Sequence, residues 1–138
     1  MKSRMKRLLT IAAATGLLVT NAICSFASVQ KTIYIYPNKV WDDGYYNSDD
    51  RSTRYSTVYA RNISVYPENG GFDTFSKIHV RVENQYGTII SDETPLSESS
   101  TNKEISIHEG YLDTDFVCFS FRGNSNDSAN AEVFYDGR

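Results

Sequence analysis

The chain has 138 residues, with 14 Lys and Arg against 17 Asp and Glu, which gives a formal net charge of −3. Four of the basic residues lie within the first seven positions, so residues 28–138 carry a charge of 10 − 17 = −7. An acidic chain of this kind repels nucleic-acid phosphates and anionic lipid surfaces, which argues against nucleic-acid binding and against charge-driven membrane binding.

The first 27 residues have the layout of a secretory signal peptide. Basic residues precede a mostly apolar run over residues 8–19, and Ser25-Phe26-Ala27 supplies small residues at positions −3 and −1 of a cleavage site. The apolar run is shorter than the roughly 20 residues that a membrane-spanning helix needs. We therefore expect secretion, cleavage before Ser28 and no membrane span, with residues 28–138 forming one mature domain.

The cysteines argue against a disulfide framework. Cys24 falls in the predicted signal peptide, which leaves Cys118 as the only cysteine of the mature chain. A single cysteine cannot form an intrachain disulfide. Cys118 lies in the very apolar stretch 116–121, which favours a buried, inert thiol over a reactive one.

Hydrophobic residues recur with a period of two along most of the mature chain, as expected for half-buried β-strands. The apolar phase shifts by one near Asn62, which predicts a β-bulge. The stretch 116–121 is apolar on both faces and is typical of a central strand. The segments predicted as strands are residues 30–36, 57–66, 78–83, 88–91, 104–108, 116–121 and 129–135.

Turn-forming residues separate these segments, as at Asp43-Gly44 and Asn69-Gly70-Gly71, and no helical period interrupts them. The pattern predicts an all-β fold: a single antiparallel β-sandwich of about seven strands, immunoglobulin-like or jelly-roll-like, with a partly closed barrel as the alternative. The longest irregular stretch is 38–54, and long loops on a rigid sheet often carry function.

Oxygen-bearing side chains are concentrated in this loop. Asp42, Asp43, Asn47, Asp49 and Asp50 lie within nine residues. Calcium binds six to eight such oxygens in flexible loops, so these residues are the candidate ligands of a calcium ion. Their spacing is not that of an EF-hand, and the alternative is a solvated charged loop without any cofactor.

Aromatic residues are concentrated in the same region. Seven of the ten tyrosines lie between residues 34 and 66, around the single tryptophan, Trp41. Tyr and Trp offer flat apolar faces with a polar group, which suits contacts with sugars and proteins. Trp41, Tyr45 and Tyr46 are therefore the candidate binding residues. The alternative is structural, because tyrosine is also common in ordinary strands.

The sequence offers no catalytic motif. It contains two histidines, His79 on the polar face of a predicted strand and His108 just before a turn. Neither accompanies a nucleophile motif, and no pair of metal ligands has helical spacing. We therefore expect both histidines on the surface and predict that the protein is not an enzyme.

The overall plan resembles small exported β proteins of Gram-positive bacteria that are associated with bacteriocin systems. The shared features are an Arg-rich approach to an early strand at 51–58, a central strand at 78–84 and a terminal hairpin at 116–135. Trp41-Asp42-Asp43-Gly44 is similar to the Trp-x-x-Gly stretch of bacteriocins of the lactococcin 972 type. The resemblance implies secretion and a β-sandwich, and it transfers no functional residue.

These observations lead to two main hypotheses about function; a third, an extracellular hydrolase, would require His79 or His108 to lie in a cleft beside a carboxylate with a perturbed pKa. The first is a secreted, non-catalytic binding module of the bacterial cell surface or extracellular medium. Its partner would be an extracellular protein or a cell-wall glycan, contacted through the loop around Trp41. The alternative is a bacteriocin-like secreted toxin or its accessory protein.

Overall fold

The computed structural model describes residues 28–51, 54–68 and 75–138. The predicted signal peptide lies outside these residues. No helix in the described ranges is long and apolar enough to cross a membrane. The strands are β1 (Ser28–Ile35), β2 (Ser48–Asp50), β3 (Thr57–Pro67), β4 (Lys77–Asn84), β5 (Thr94–Ser97), β6 (Lys103–Ser106), β7 (Phe116–Gly123) and β8 (Ala129–Asp136).

The strands form two four-stranded antiparallel sheets, which confirms the predicted β-sandwich. The first sheet has the order β1-β8-β3-β6 and the second has the order β2-β7-β4-β5. The first strand pairs with the last, the second with the seventh, the third with the sixth and the fourth with the fifth. This is the path of one long hairpin rolled into two sheets, so the strand order is that of a jelly roll.

The core lies between the two sheets because alternate residues of each strand point inward. In β8 these residues are Ala129, Ala131, Val133 and Tyr135, all of them buried. The Tyr135 ring stacks on Phe119 of the opposite sheet, with ring centroids 4.8 Å apart. The central position predicted for residues 116–121 is confirmed, because β7 lies between β2 and β4.

The irregularity predicted near Asn62 is also confirmed. The pairing of β3 with β8 shifts register between Asn62 and Ser64, as a β-bulge requires. The buried Asn62 side chain donates hydrogen bonds from Nδ2 to the carbonyl oxygens of Ser76, at 2.9 Å, and Leu96, at 3.1 Å. The amide therefore joins the bulge to strand β5 of the other sheet.

The strands predicted from the sequence differ from those of the structure at three places. Residues 88–91 form only isolated bridges, Glu83 with Ile89 and Ser91 with Ile107. Strand β2 (Ser48–Asp50) is wholly polar, so no hydrophobic alternation indicates it. Strand β5 (Thr94–Ser97) contains Pro95, which is compatible with pairing because β5 is an edge strand.

Candidate functional site

The segment between β1 and β2 lies along β7 and completes the edge of the second sheet. Strand β2 covers only residues 116–118 of β7. Beyond it, the Asp42 amide donates to the Phe121 carbonyl at 2.9 Å, and Asp42 Oδ1 accepts from the Phe121 amide at 2.6 Å. Ser120 Oγ donates to the Asp42 carbonyl at 2.9 Å. Asp42 therefore supplies the hydrogen bonds that a longer β2 would have made.

Asn47 and Gly44 hold the same segment in place. Asn47 is buried, and its Nδ2 donates to Asp42 Oδ2 at 2.8 Å and to the Phe119 carbonyl at 3.1 Å. A Cβ atom on Gly44 would lie 3.3 Å from the Cβ of Ser120, slightly closer than an ordinary contact, so the missing side chain lets the segment lie close to β7. Cys118 is buried beneath the segment, as predicted, and burial raises the pKa of its thiol.

The candidate calcium ligands are distributed among separate structural contacts. Asp43 Oδ1 accepts from the Tyr45 amide at 3.0 Å and caps the short 3-10 helix Gly44–Asn47. Asp49 Oδ2 accepts from the Gly137 amide at 2.7 Å, and Asp50 is exposed on β2. No group of three or more His, Cys, Asp or Glu side chains in the described residues is arranged to hold a metal ion. Calcium binding stays a prediction.

Two of these carboxyl groups have altered acidity. Burial raises the pKa of Asp42 to about 6, although hydrogen bonds from the Phe121 amide and from Asn47 oppose the shift. Burial likewise raises the pKa of Asp49 to about 6, against the hydrogen bond from the Gly137 amide. Each of these two groups therefore binds its proton more tightly in the folded protein than in the unfolded chain.

Trp41 packs the segment between β1 and β2 against the outer face of the second sheet. Its ring is half-buried and lies 4.4 Å from the Arg81 guanidinium carbon and 5.2 Å from that of Arg122. Glu83 forms an ion pair with Arg81 at 2.9 Å, and Glu93 forms one with Arg122. The indole thus makes cation–π contacts with two arginines whose charges are balanced by Glu83 and Glu93. These contacts give Trp41 a role in packing.

Beside this segment, an open cleft of about 210 Å³ runs along the free edge of β1. Three tyrosines line it: Tyr34, Tyr36 and Tyr46 are 41%, 46% and 74% exposed. Tyr34 and Tyr36 meet edge to face, with centroids 5.2 Å apart. Lys31 Nζ donates to the Tyr46 carbonyl at 2.6 Å and joins the two walls. The remaining lining residues are Thr32, Ile33, Asp42, Asp43 and Asn47.

The structure brings together part of the predicted binding set. Tyr46 lines the cleft, and the exposed Tyr45 packs against it with ring centroids 6.0 Å apart. Trp41 is not among the described residues that line this cleft. Sequence analysis missed Tyr34 and Tyr36, which it assigned only to a strand. The signal that could have identified them is two large aromatics on the polar face of an edge strand.

The two histidines have different surroundings. His108 is exposed, as expected, and its Nε2 lies 3.2 Å from Asp92 Oδ1. The side chain of His79 is only 16% exposed, so the expectation of a free surface residue was wrong there. Its Nδ1 lies 2.7 Å from Glu93 Oε1, and its Nε2 lies 3.2 Å from Asn124 Oδ1. His79 is covered because Glu93 bridges it to the neighbouring Arg122.

Comparison with known proteins finds no family model, curated protein or solved structure that matches this chain. Any functional conclusion therefore depends on the chain's own geometry, and a jelly roll does not by itself imply a function.

Proposed function

We propose that the protein is a secreted, non-catalytic glycan-binding module whose contact surface is the tyrosine-lined cleft beside β1. The observation that carries this proposal is the convergence of Tyr34, Tyr36 and Tyr46, all substantially exposed, from two separate parts of the chain. Three exposed aromatic rings around one cleft are costly to leave in water and are typical of a binding surface.

The chemistry of the cleft favours a sugar. A pyranose ring has an apolar C–H face, which stacks on a tyrosine ring, and a rim of hydroxyl groups, which need hydrogen-bond partners. The tyrosine hydroxyls and Asp43 supply polar groups beside the rings. Thr32 and Ile33 of the edge strand β1 line the same cleft.

The contacts of the two cleft carboxylates support binding rather than hydrolysis. Glycoside hydrolysis uses a pair of carboxyl groups that are free to act on the substrate. Both oxygens of Asp42 already accept hydrogen bonds, from the Phe121 amide and from Asn47. Asp43 uses Oδ1 to cap the 3-10 helix. The cleft therefore lacks a free carboxylate pair among the residues that are described.

The test is to measure binding of the purified protein to immobilised peptidoglycan, chitin and cellulose. We expect binding to at least one of them, and Tyr46→Ala should weaken it about tenfold or more, which corresponds to about 1.4 kcal/mol. Tyr46 is 74% exposed, so its removal should leave the fold intact. Tyr86→Ala, at an 82% exposed tyrosine outside the cleft, is the matched control and should bind like the wild type.

Absence of binding to all three polymers would contradict the proposal. Equal weakening by Tyr46→Ala and Tyr86→Ala would also contradict it, because the cleft would then have no special role.

A further inference from the structure

A row of exposed residues crosses the outer face of the first sheet and leads toward the cleft. Tyr34 of β1 lies directly opposite Asn130 of β8, and Asn130 lies directly opposite Tyr66 of β3. Residues that pair in this way point to the same face of a sheet. All three are exposed, Tyr66 by 61%. Together with Tyr36, we call them the tyrosine strip.

The strip is longer than one sugar ring. Tyr66 and Tyr34 are separated by two strand spacings, which is about 10 Å. Tyr36 lies two residues further along the chain, just after β1, with its ring centroid 5.2 Å from that of Tyr34, and Tyr34 and Tyr36 both line the cleft that contains Tyr46. The strip therefore crosses the strands from Tyr66 through Asn130 to Tyr34, and from there Tyr36 leads into the cleft.

The charges beside the strip indicate what it binds. Glu132 lies two residues from Asn130 on the same face of β8, and its Oε1 accepts from Gln30 Nε2 at 2.7 Å. Glu68 accepts from Ser128 Oγ, and one of its oxygens lies 3.4 Å from the Tyr34 hydroxyl. Acidic groups on either side repel an anionic ligand, whereas the amide of Asn130 and the tyrosine hydroxyls suit an uncharged polar one.

From this geometry we infer that the protein binds a linear, uncharged glycan chain of several sugar units, which lies across β3, β8 and β1 and ends in the cleft. The inference rests on the proposed function and extends it. Tyr46 with Tyr36 forms the subsite for the first sugars, and Tyr66 forms a distal subsite that only longer chains reach.

Calorimetric titration with a chain-length series tests the inference. The probes are oligomers of N-acetylglucosamine and of glucose, from the disaccharide to the hexasaccharide. We expect affinity in one series to rise about tenfold or more with length, the effect of one additional stacked sugar. Tyr66→Ala should remove this rise and leave disaccharide binding unchanged. Tyr46→Ala should weaken binding at every length.

Tyr55→Ala is the matched control, because Tyr55 is 60% exposed and lies outside the strip and the cleft. It should keep the wild-type dependence on length. If affinity does not depend on length, or if Tyr66→Ala keeps the rise, the inference is overturned while the proposed function stands. If neither oligosaccharide series binds and the protein binds only charged polymers such as polygalacturonate, the inference of an uncharged ligand is overturned. If the wild-type protein binds none of the polymers, both the inference and the proposed function are contradicted.

Discussion

At the scale of single residues, Asp42 shows how position changes the role of a side chain. By type and spacing it is a candidate calcium ligand. In the folded protein its carboxyl group accepts a hydrogen bond from the Phe121 amide, 79 residues away, and its backbone pairs with the same residue. The buried carboxyl group of Asp42 thus accepts a hydrogen bond that a neighbouring strand would otherwise accept from β7. Burial raises the pKa of this group to about 6.

The raised pKa predicts a pH dependence of stability. The folded protein binds the Asp42 proton more tightly than the unfolded chain, in which the pKa is near 3.8. Stability should therefore fall as the pH rises from about 4 to about 6, by about 3 kcal/mol for this group, and then level off. Asp49 changes stability in the same direction. Urea denaturation at a series of pH values measures the effect.

Asp42→Asn should reduce this part of the pH dependence by about half, because the amide does not titrate and only Asp49, whose pKa is also raised to about 6, still contributes. Asp113→Asn removes the same charge from a fully exposed side chain and should keep the wild-type profile. An unchanged slope in Asp42→Asn would contradict the assignment.

At the scale of elements, the segment that joins β1 to β2 acts as part of the second sheet. Trp41 holds it through contacts with Arg81 and Arg122, and Asn47 holds it through the Phe119 carbonyl. The same segment carries Tyr46 into the cleft. The packing of one face of the segment therefore positions Tyr46, the proposed binding residue, on the other face.

Trp41→Ala should loosen this segment. Truncating a fully buried tryptophan costs about 3–5 kcal/mol, so a half-buried one should cost about 2 kcal/mol in the free energy of unfolding. Hydrogen exchange of the Phe121 amide should accelerate by more than the loss of overall stability explains. The reason is that this amide donates to Asp42, which belongs to the segment. Tyr45→Ala, at a 65% exposed ring, should change stability by less than about 0.5 kcal/mol. If the Phe121 amide exchanges as slowly in Trp41→Ala as in the wild type, Trp41 does not hold the segment in place.

At the scale of the whole molecule, the pairing of first and last strands makes the fold non-local. Ser28 pairs with Asp136, and β8 lies between β1 and β3 in the middle of the first sheet. Such a topology requires nearly the full chain before its sheets can close, and folding is correspondingly slow.

Removal of residues 129–138 should therefore abolish cooperative folding. Without β8, strands β1 and β3 lose their shared partner and Phe119 loses the stacked ring of Tyr135. We expect no cooperative urea transition and no near-ultraviolet dichroism from packed aromatic rings. Removal of Arg138 alone is the control and should keep the transition, since it removes only the cation–π contact with Tyr59 and the contacts with the Asp136 carboxylate. A cooperative transition in the shorter chain would contradict the central role of β8.

The sequence by itself determined the local structure. The period of two in β3, β4 and β8, the apolar run of β7, the phase shift at Asn62 and the burial of Cys118 were all predictable, because they depend on which neighbours along the chain are apolar. Strand β2 was not predictable, because Ser48–Asp50 has no hydrophobic residue and forms a strand only when β7 offers it backbone partners.

Only the tertiary structure decided the composition of the cleft. Tyr46 was a candidate from its loop, but Tyr34 and Tyr36 join it because the loop folds back beside the edge of β1, where Lys31 holds the Tyr46 carbonyl. Trp41 and Asp42 instead contact β4 and β7 of the second sheet, where their partners lie about 40 to 80 residues away in sequence. Local patterns specify which residues are apolar or polar, and only the packing of distant strands specifies which of them meet.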